Sequence, residues 1–250
     1  MIFFVKIKNN IPNVLTLLNL LSGIFSIVAN LEGYPVLAGV FIFISAFFDF
    51  FDGLAARILK AYSNIGKELD SLADLISFGL APAFIVFSFL KSVLLINNFQ
   101  ADDVSLKNLL ILMSPFLITI FSAIRLAKFN IDERQTKEFI GLPTPANAIF
   151  FACLPIILAQ YNLYAFFVIL NLKTLLFVIF IHSILLVLPI PLFSLKIKSF
   201  KWNENKFLYI FLISAAVIIL IFKLYAIPFI IWLYVLIGFI RLFYNKLKKV

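Results

Sequence analysis

The chain alternates long apolar stretches with short polar clusters. The stretches at residues 12–30, 35–57, 69–96, 108–128, 146–168, 173–194, 206–222 and 224–244 approach or exceed the roughly 20 residues that carry a helix across a bilayer. Lipid offers no partner for an open backbone, so segments this apolar satisfy their own peptide groups as helices. The pattern predicts an all-α, polytopic integral membrane helical bundle of about eight transmembrane helices, a single membrane domain over residues 1–250. The turn at Lys223 joins the last two spans, which also fit one unusually deep hairpin. The opening MIFFVKIKNN sets Lys6 and Lys8 behind a short apolar run without a small-residue cleavage site, and reads as an interfacial segment. No internal repeat is visible.

Composition excludes a water-soluble globular domain: 64% of residues are hydrophobic and 13% charged, against roughly 45–50% and about 25% in soluble domains. The formal net charge is +9, from 21 Lys+Arg and 12 Asp+Glu. No basic stretch outside the apolar segments is interleaved with stacking aromatics, so the excess points to lipid headgroups and not to nucleic acid. On alternate sides of the predicted spans, 17 of the 21 basic residues fall on one side, leaving Lys91, Lys107, Lys173 and Lys223 on the other. That bias predicts a multi-pass protein of the cytoplasmic membrane with an even number of spans and both termini cytoplasmic. The loops at 57–68 and 129–145 then also face the cytoplasm. A single cysteine, Cys153, and a single histidine, His182, both in apolar stretches, read as packing and not as a zinc or haem site.

Four of the twelve acids stand in or beside the second and third spans, at Asp49, Asp52, Asp70 and Asp74. One unpaired acid at a span centre costs about 2.5–3.5 kcal/mol on insertion scales, so four together need compensation. At 100° per residue, Asp49, Asp52, Gly53 and Ala56 share one sector of a helix. Gly66, Asp70, Ala73, Asp74, Ser77 and Ala81 form a second small and polar stripe. Facing each other, the two stripes enclose a cavity at the cytoplasmic end. Clustered carboxylates repel one another and ask for cations, and an oxygen-only donor set without histidine or cysteine selects Mg²⁺ or Mn²⁺. Two such ions are a device of phosphoryl chemistry. Arg57 is placed to take a phosphate oxygen, and Gly53, Ala56 and Gly66 leave room for a nucleotide.

The pattern D-x2-D-G-x2-A-R-x8-G-x3-D-x3-D, occupied by Asp49, Asp52, Gly53, Ala56, Arg57, Gly66, Asp70 and Asp74, resembles the signature of the CDP-alcohol phosphatidyltransferases. The resemblance implies a six-helix core, here 10–195, with an additional C-terminal pair at 206–244. It implies two divalent ions held by the four aspartates, gripping the diphosphate of a CDP-linked lipid, with CMP as leaving group. Asp49, Asp52 and Asp70 would be metal ligands, and Asp74 both a ligand and the general base. Gly53, Arg57, Ser63 and Gly66 would line the CDP-lipid site, although a loop serine such as Ser63 is also an ordinary helix cap.

D-S-L-A-D-L-I-S-F-G-L-A-P-A from Asp70 to Ala83 is similar to the bacterial and archaeal phosphatidylserine synthases within that family. P-N-V-L-T-L-L-N-L-L-S-G from Pro12, R-L-A-K-F-N from Arg125 and F-I-G-L-P-T-P-A-N ending at Asn147 agree with it, as does P-I-P-L-F-S-L-K from Pro189. The implied reaction transfers phosphatidyl from CDP-diacylglycerol to L-serine, in a protein that commonly forms homodimers. Asn13, Thr16, Ser77, Arg125 and Lys128 are candidate acceptor or nucleotide contacts, with Arg125 for the serine carboxylate. Lys128 replaces an arginine common in relatives and lacks its bidentate fork. Arg125 and Lys128 equally suit anchoring at headgroups, and the Asn13, Thr16, Asn19 stripe equally suits helix-to-helix hydrogen bonding. Two other readings stand beside this one: a relative using glycerol phosphate or inositol phosphate, and a cation or proton transporter. A transporter more often spreads its acids along a path through two related halves.

Overall fold

The computed structural model describes residues 2–96, 106–131, 139–160, 171–192 and 202–247, and these are overwhelmingly helical. In chain order the helices are α1 (Ile2–Leu31), α2 (Pro35–Leu59), α3 (Asn64–Asp74), a π-helical turn (Leu75–Leu80), α4 (Ala81–Ile96), α5 (Leu106–Met113) and α6 (Phe116–Ile131). They continue as α7 (Thr144–Gln160), α8 (Leu172–Val187), α9 (Trp202–Phe222) and α10 (Ala226–Leu247). Four stretches, Asn10–Leu31, Pro35–Leu59, Asn64–Leu94 and Ala226–Tyr244, are long and apolar enough to cross a membrane. The bent pair α5 and α6 makes a fifth, and Thr144–Gln160, Leu172–Val187 and Leu208–Phe222 are shorter apolar helices. The protein is an all-α, polytopic membrane protein.

Local chemistry sets the boundaries. Gly33 at φ +83° and Pro35 at the first helical position start α2. At its other end Lys60 adopts the left-handed conformation, and its N–H reaches back to the carbonyls of Ala56 and Arg57. The fourth predicted span breaks at Ser114 and Pro115, where α5 and α6 bend by 48°. The proline cannot continue the helical ladder, and Ser114 Oγ donates to the Ile111 carbonyl at 2.7 Å. The sixth span ends at Val187, short of the predicted 194, because Leu188 is held extended ahead of Pro189. Pro191–Leu192 then pairs antiparallel with Phe139–Ile140, a two-residue ladder absent from the predicted elements. The opening residues continue α1 as helix from Ile2 rather than standing apart from it. At Lys223 a 3₁₀ turn, Lys223–Tyr225, separates α9 from α10. The ends of the predicted fifth and sixth spans, 161–168 and 193–194, lie outside the described residues.

Helices in lipid associate by close packing and buried hydrogen bonds, because lipid tails are as apolar as leucine. On α1, Ser26 Oγ donates to Ala38 O at 2.8 Å, and Asn30 Nδ2 donates to Phe84 O at 2.9 Å and Ser88 Oγ at 2.7 Å, which ties α1 to α2 and α4. Gly39 lets α2 press onto α7: a methyl added there would lie 2.5 Å from the Ala152 carbonyl oxygen. An apolar core of Ala38, Ile42, Phe78, Ala81, Ile85, Ala148 and Ala152 fills the space between these helices. A second core gathers Ile118, Phe150, Phe151, Ile179, Leu192, Phe211 and Val235 from the later helices. Outward, Leu17, Leu21 and Val28 on α1 and Phe47 and Phe50 on α2 are exposed, as lipid-facing side chains are.

Candidate active site

α2 and α3 run into the site from opposite sides of the short link at 60–63, each contributing two acids one turn apart. On α2, Asp49 is half-buried and Asp52 is buried; on α3, Asp70 is half-buried and Asp74 is buried. Asp49, Asp70 and Asp74 each present a carboxylate oxygen, and these oxygens lie within 4.8 Å of one another. Asp52, one turn along α2 from Asp49, stands beside this trio. Carboxylates this close need positive charge between them. One oxygen of Asp70 is buried without a protein partner. Oxygen-only donors, mutual spacing and an orphaned buried acceptor fit a hard divalent cation.

The first helix is the scaffold of this cluster. Thr16 Oγ1 donates to Asp52 Oδ2 at 2.7 Å, and Asn19 Nδ2 donates to Asp74 Oδ1 at 3.1 Å. The Asn19 carbonyl in turn accepts from Ser45 Oγ at 3.1 Å and Ser77 Oγ at 3.0 Å, so α1, α2 and the π turn meet at one residue. The Thr16 hydroxyl engages one oxygen of Asp52 and the Asn19 amide one oxygen of Asp74, which steadies each rotamer and leaves the second oxygen available. Asp74 is the last residue of α3, immediately ahead of the π turn. Pro82 lacks the N–H that would close an α-type bond to Phe78, a physical reason for the wider turn. Thr119 Oγ1 of α6 donates to the Gly79 carbonyl at 3.0 Å and holds that turn from outside.

The remaining predicted residues divide into three settings. A side chain added at Gly53 would meet nothing within 4 Å, so α2 opens onto free space beside Asp52. Arg57, one turn further, is exposed. Ser63 caps α3, its hydroxyl accepting the Gly66 N–H at 2.9 Å, and a methyl at Gly66 would lie 2.9 Å from both Asn13 Oδ1 and Ser63 Oγ. Gly66 is thus packed against α1 and its own cap. Lys128 is exposed on α6, whereas Arg125, one turn earlier, is buried; its Nη1 reaches Thr144 Oγ1 at a long 3.4 Å. The acid whose charge bears on Arg125 is Asp74.

Sequence reasoning placed Asn19 only in a polar stripe. The i, i+3 spacing of Asn13, Thr16 and Asn19 was the signal that this face of α1 meets the acids. Thr144 and Asn147 lie in the run P-T-P-A-N but were not singled out, and His182 was assigned to packing. All three are buried, and His182 Nδ1 lies 2.7 Å from Asn147 Oδ1.

Residues 9–195 match the CDP-alcohol phosphatidyltransferase family. The CDP-diacylglycerol–serine O-phosphatidyltransferase of Bacillus subtilis (strain 168) is 36% identical over 154 residues, covering 62% of this chain and 78% of that protein. The protein of the same name from Methanocaldococcus jannaschii is 31% identical over 204 residues, covering 82% of this chain and 80% of its own length. That of Helicobacter pylori (strain 26695) is 31% identical over 242 residues, 95% of this chain and 92% of that protein. The match spans α1 to α8, the helices that build the acidic cluster and its supports. With the acidic cluster and its supports inside the matched stretch, the chain belongs to the CDP-alcohol phosphatidyltransferase family.

Proposed function

We propose that this protein transfers the phosphatidyl group of CDP-diacylglycerol to the hydroxyl of L-serine, releasing CMP, at the cytoplasmic face of the cell membrane with both termini on that side. The observation that carries the reaction type is the convergence of Asp49, Asp70 and Asp74 to within 4.8 Å, with Asp52 beside them. Serine as acceptor rests on the activity for which the relatives are named and on the run from Asp70 to Ala83.

Asp49, Asp52, Asp70 and Asp74 together would hold two Mg²⁺ or Mn²⁺ ions, whose positive charge would neutralise the diphosphate and the negative charge that develops during transfer. The open surface at Gly53 admits the cytidine end, and Arg57 supplies an exposed guanidinium for a phosphate oxygen. Asp74, steadied by Asn19, takes the proton of the acceptor hydroxyl. The hydroxyl oxygen forms a bond to the phosphorus that carries diacylglycerol, the bond from that phosphorus to the bridging oxygen breaks, and CMP departs with the electron pair. Arg125 provides a buried positive charge for the serine carboxylate.

The test is CMP release by the purified protein in detergent with CDP-diacylglycerol and Mn²⁺ or Mg²⁺, comparing L-serine with glycerol 3-phosphate, inositol and inositol phosphate. Serine-dependent release is the expected outcome. Release with glycerol 3-phosphate but not serine would overturn the acceptor and keep the reaction; no release with any acceptor or metal would overturn both.

A further inference from the structure

Around Arg125, the structure holds further buried polar side chains that the reading above leaves unused. Thr144 and Asn147 are one turn apart on α7 and fully buried. Thr144 meets the Arg125 guanidinium, and Asn147 meets His182 of α8. Three nitrogens in this group have no partner, Arg125 Nε, Asn147 Nδ2 and His182 Nε2, and the first two are donors. Buried polar groups in an apolar bundle are normally satisfied, and a buried guanidinium with an idle N–H is costly unless an anion meets it. Thr144, which meets Arg125 Nη1, stands one helical turn before Asn147, and Asp74 is the acid whose charge bears on Arg125.

We propose that Arg125, Thr144 and Asn147 form a recognition pocket for the carboxylate of the acceptor, and that His182 is a positioning residue that fixes which way the Asn147 amide points. The proposal rests on the serine reading above and deepens it. With Oδ1 of Asn147 accepting from His182 Nδ1–H at 2.7 Å, the amide nitrogen is turned away from the histidine. The ring cannot swing away, since Phe150, Phe151 and Trp232 pack around it with centroids 4.0, 5.1 and 5.4 Å distant. A carboxylate has two oxygens to accept from two donors. The pocket therefore selects an α-amino acid over the same amino alcohol without its carboxylate. An unpaired Arg125 and an unpaired amide would remain when such a molecule binds.

The experiment measures KM for L-serine and for CDP-diacylglycerol, and compares L-serine with serinol, which replaces the carboxylate by a hydroxymethyl group. Asn147→Leu and the isosteric Asn147→Asp are each expected to raise the serine KM about tenfold or more, the loss of one hydrogen bond to a charged group. KM for CDP-diacylglycerol should stay within about twofold, and the preference for serine over serinol should shrink by the same factor as the serine KM rises. His182→Leu should raise the serine KM in the same direction, and His182→Gln, which retains a donor, should restore part of it. Serine-dependent CMP release with an unchanged serine KM and unchanged serinol discrimination in both Asn147 variants would overturn the pocket alone. Equal rises in both KM values, or a fall in kcat only, would reduce these residues to structure and overturn it as well. Absence of serine-dependent release from the parent protein would overturn the pocket together with the serine reading.

Discussion

Asp49 and Asp74 come from different helices and converge with Asp70, whereas Asp52 accepts the Thr16 hydroxyl. A carboxylate held by a neutral donor keeps its other oxygen available, so the four acids are not equivalent. Asp74 is buried and steadied by Asn19, and the proposed reaction gives it the proton. Asp74→Asn preserves shape and removes both the base and a cation ligand; CMP release should fall by a factor on the order of 10² to 10⁴ while the protein still elutes as a folded species in detergent. Full activity in that variant would remove Asp74 from the reaction. Asn19→Leu is expected to lower activity less, because it frees the Asp74 rotamer without removing the carboxylate, and a kcat assay at saturating CDP-diacylglycerol separates the two.

At the scale of elements, α1 is the ruler against which α2 and the π turn are set. Gly23 of α1 faces Ser77, and an added methyl would stand 2.7 Å from the Ser77 Cα, a backbone atom that cannot step aside. Gly23→Ala should therefore push α1 from the π turn, strain the contacts of Asn19 with Ser77 and Asp74, and lower stability by about 1–3 kcal/mol, the usual cost of overpacking. Loss of thermal stability in detergent together with reduced turnover is the expected result; an unchanged melting point would mean that α1 can shift freely. The link from α3 to α6 is polar: Lys67 Nζ donates to the Asn130 carbonyl at 2.7 Å, and Asn130 Nδ2 donates to Ser71 Oγ at 2.8 Å. It fastens the helix that carries Asp70 to the helix that carries Arg125.

For the whole molecule, the acids are tolerable in an apolar bundle only because they are concentrated in one place where a single charge source can serve all of them. Removal of divalent cations with a chelator should abolish CMP release and lower thermal stability, since a ligand that binds only the folded state stabilises it. Adding Mg²⁺ or Mn²⁺ should restore both. Stability and activity indifferent to chelation would sink the metal assignment.

The sequence alone determined the membrane class, the helical content and the pairing of the two acidic stripes, because apolar length and 100° periodicity are local properties that lipid enforces residue by residue. It also determined the family, through eight fixed residues in one 26-residue stretch. It did not determine which prolines break a helix and which are carried within one: the α5–α6 pair bends at Pro115 and the π turn precedes Pro82, whereas Pro155 lies inside α7. Nor did it show that Asp52 is held by Thr16 outside the closest three acids, or that Arg125, Thr144, Asn147 and His182 meet. Those contacts join residues far apart along the chain. Their geometry comes from the packing of α1, α6, α7 and α8, where small residues permit close approach and buried polar groups must find partners across helices.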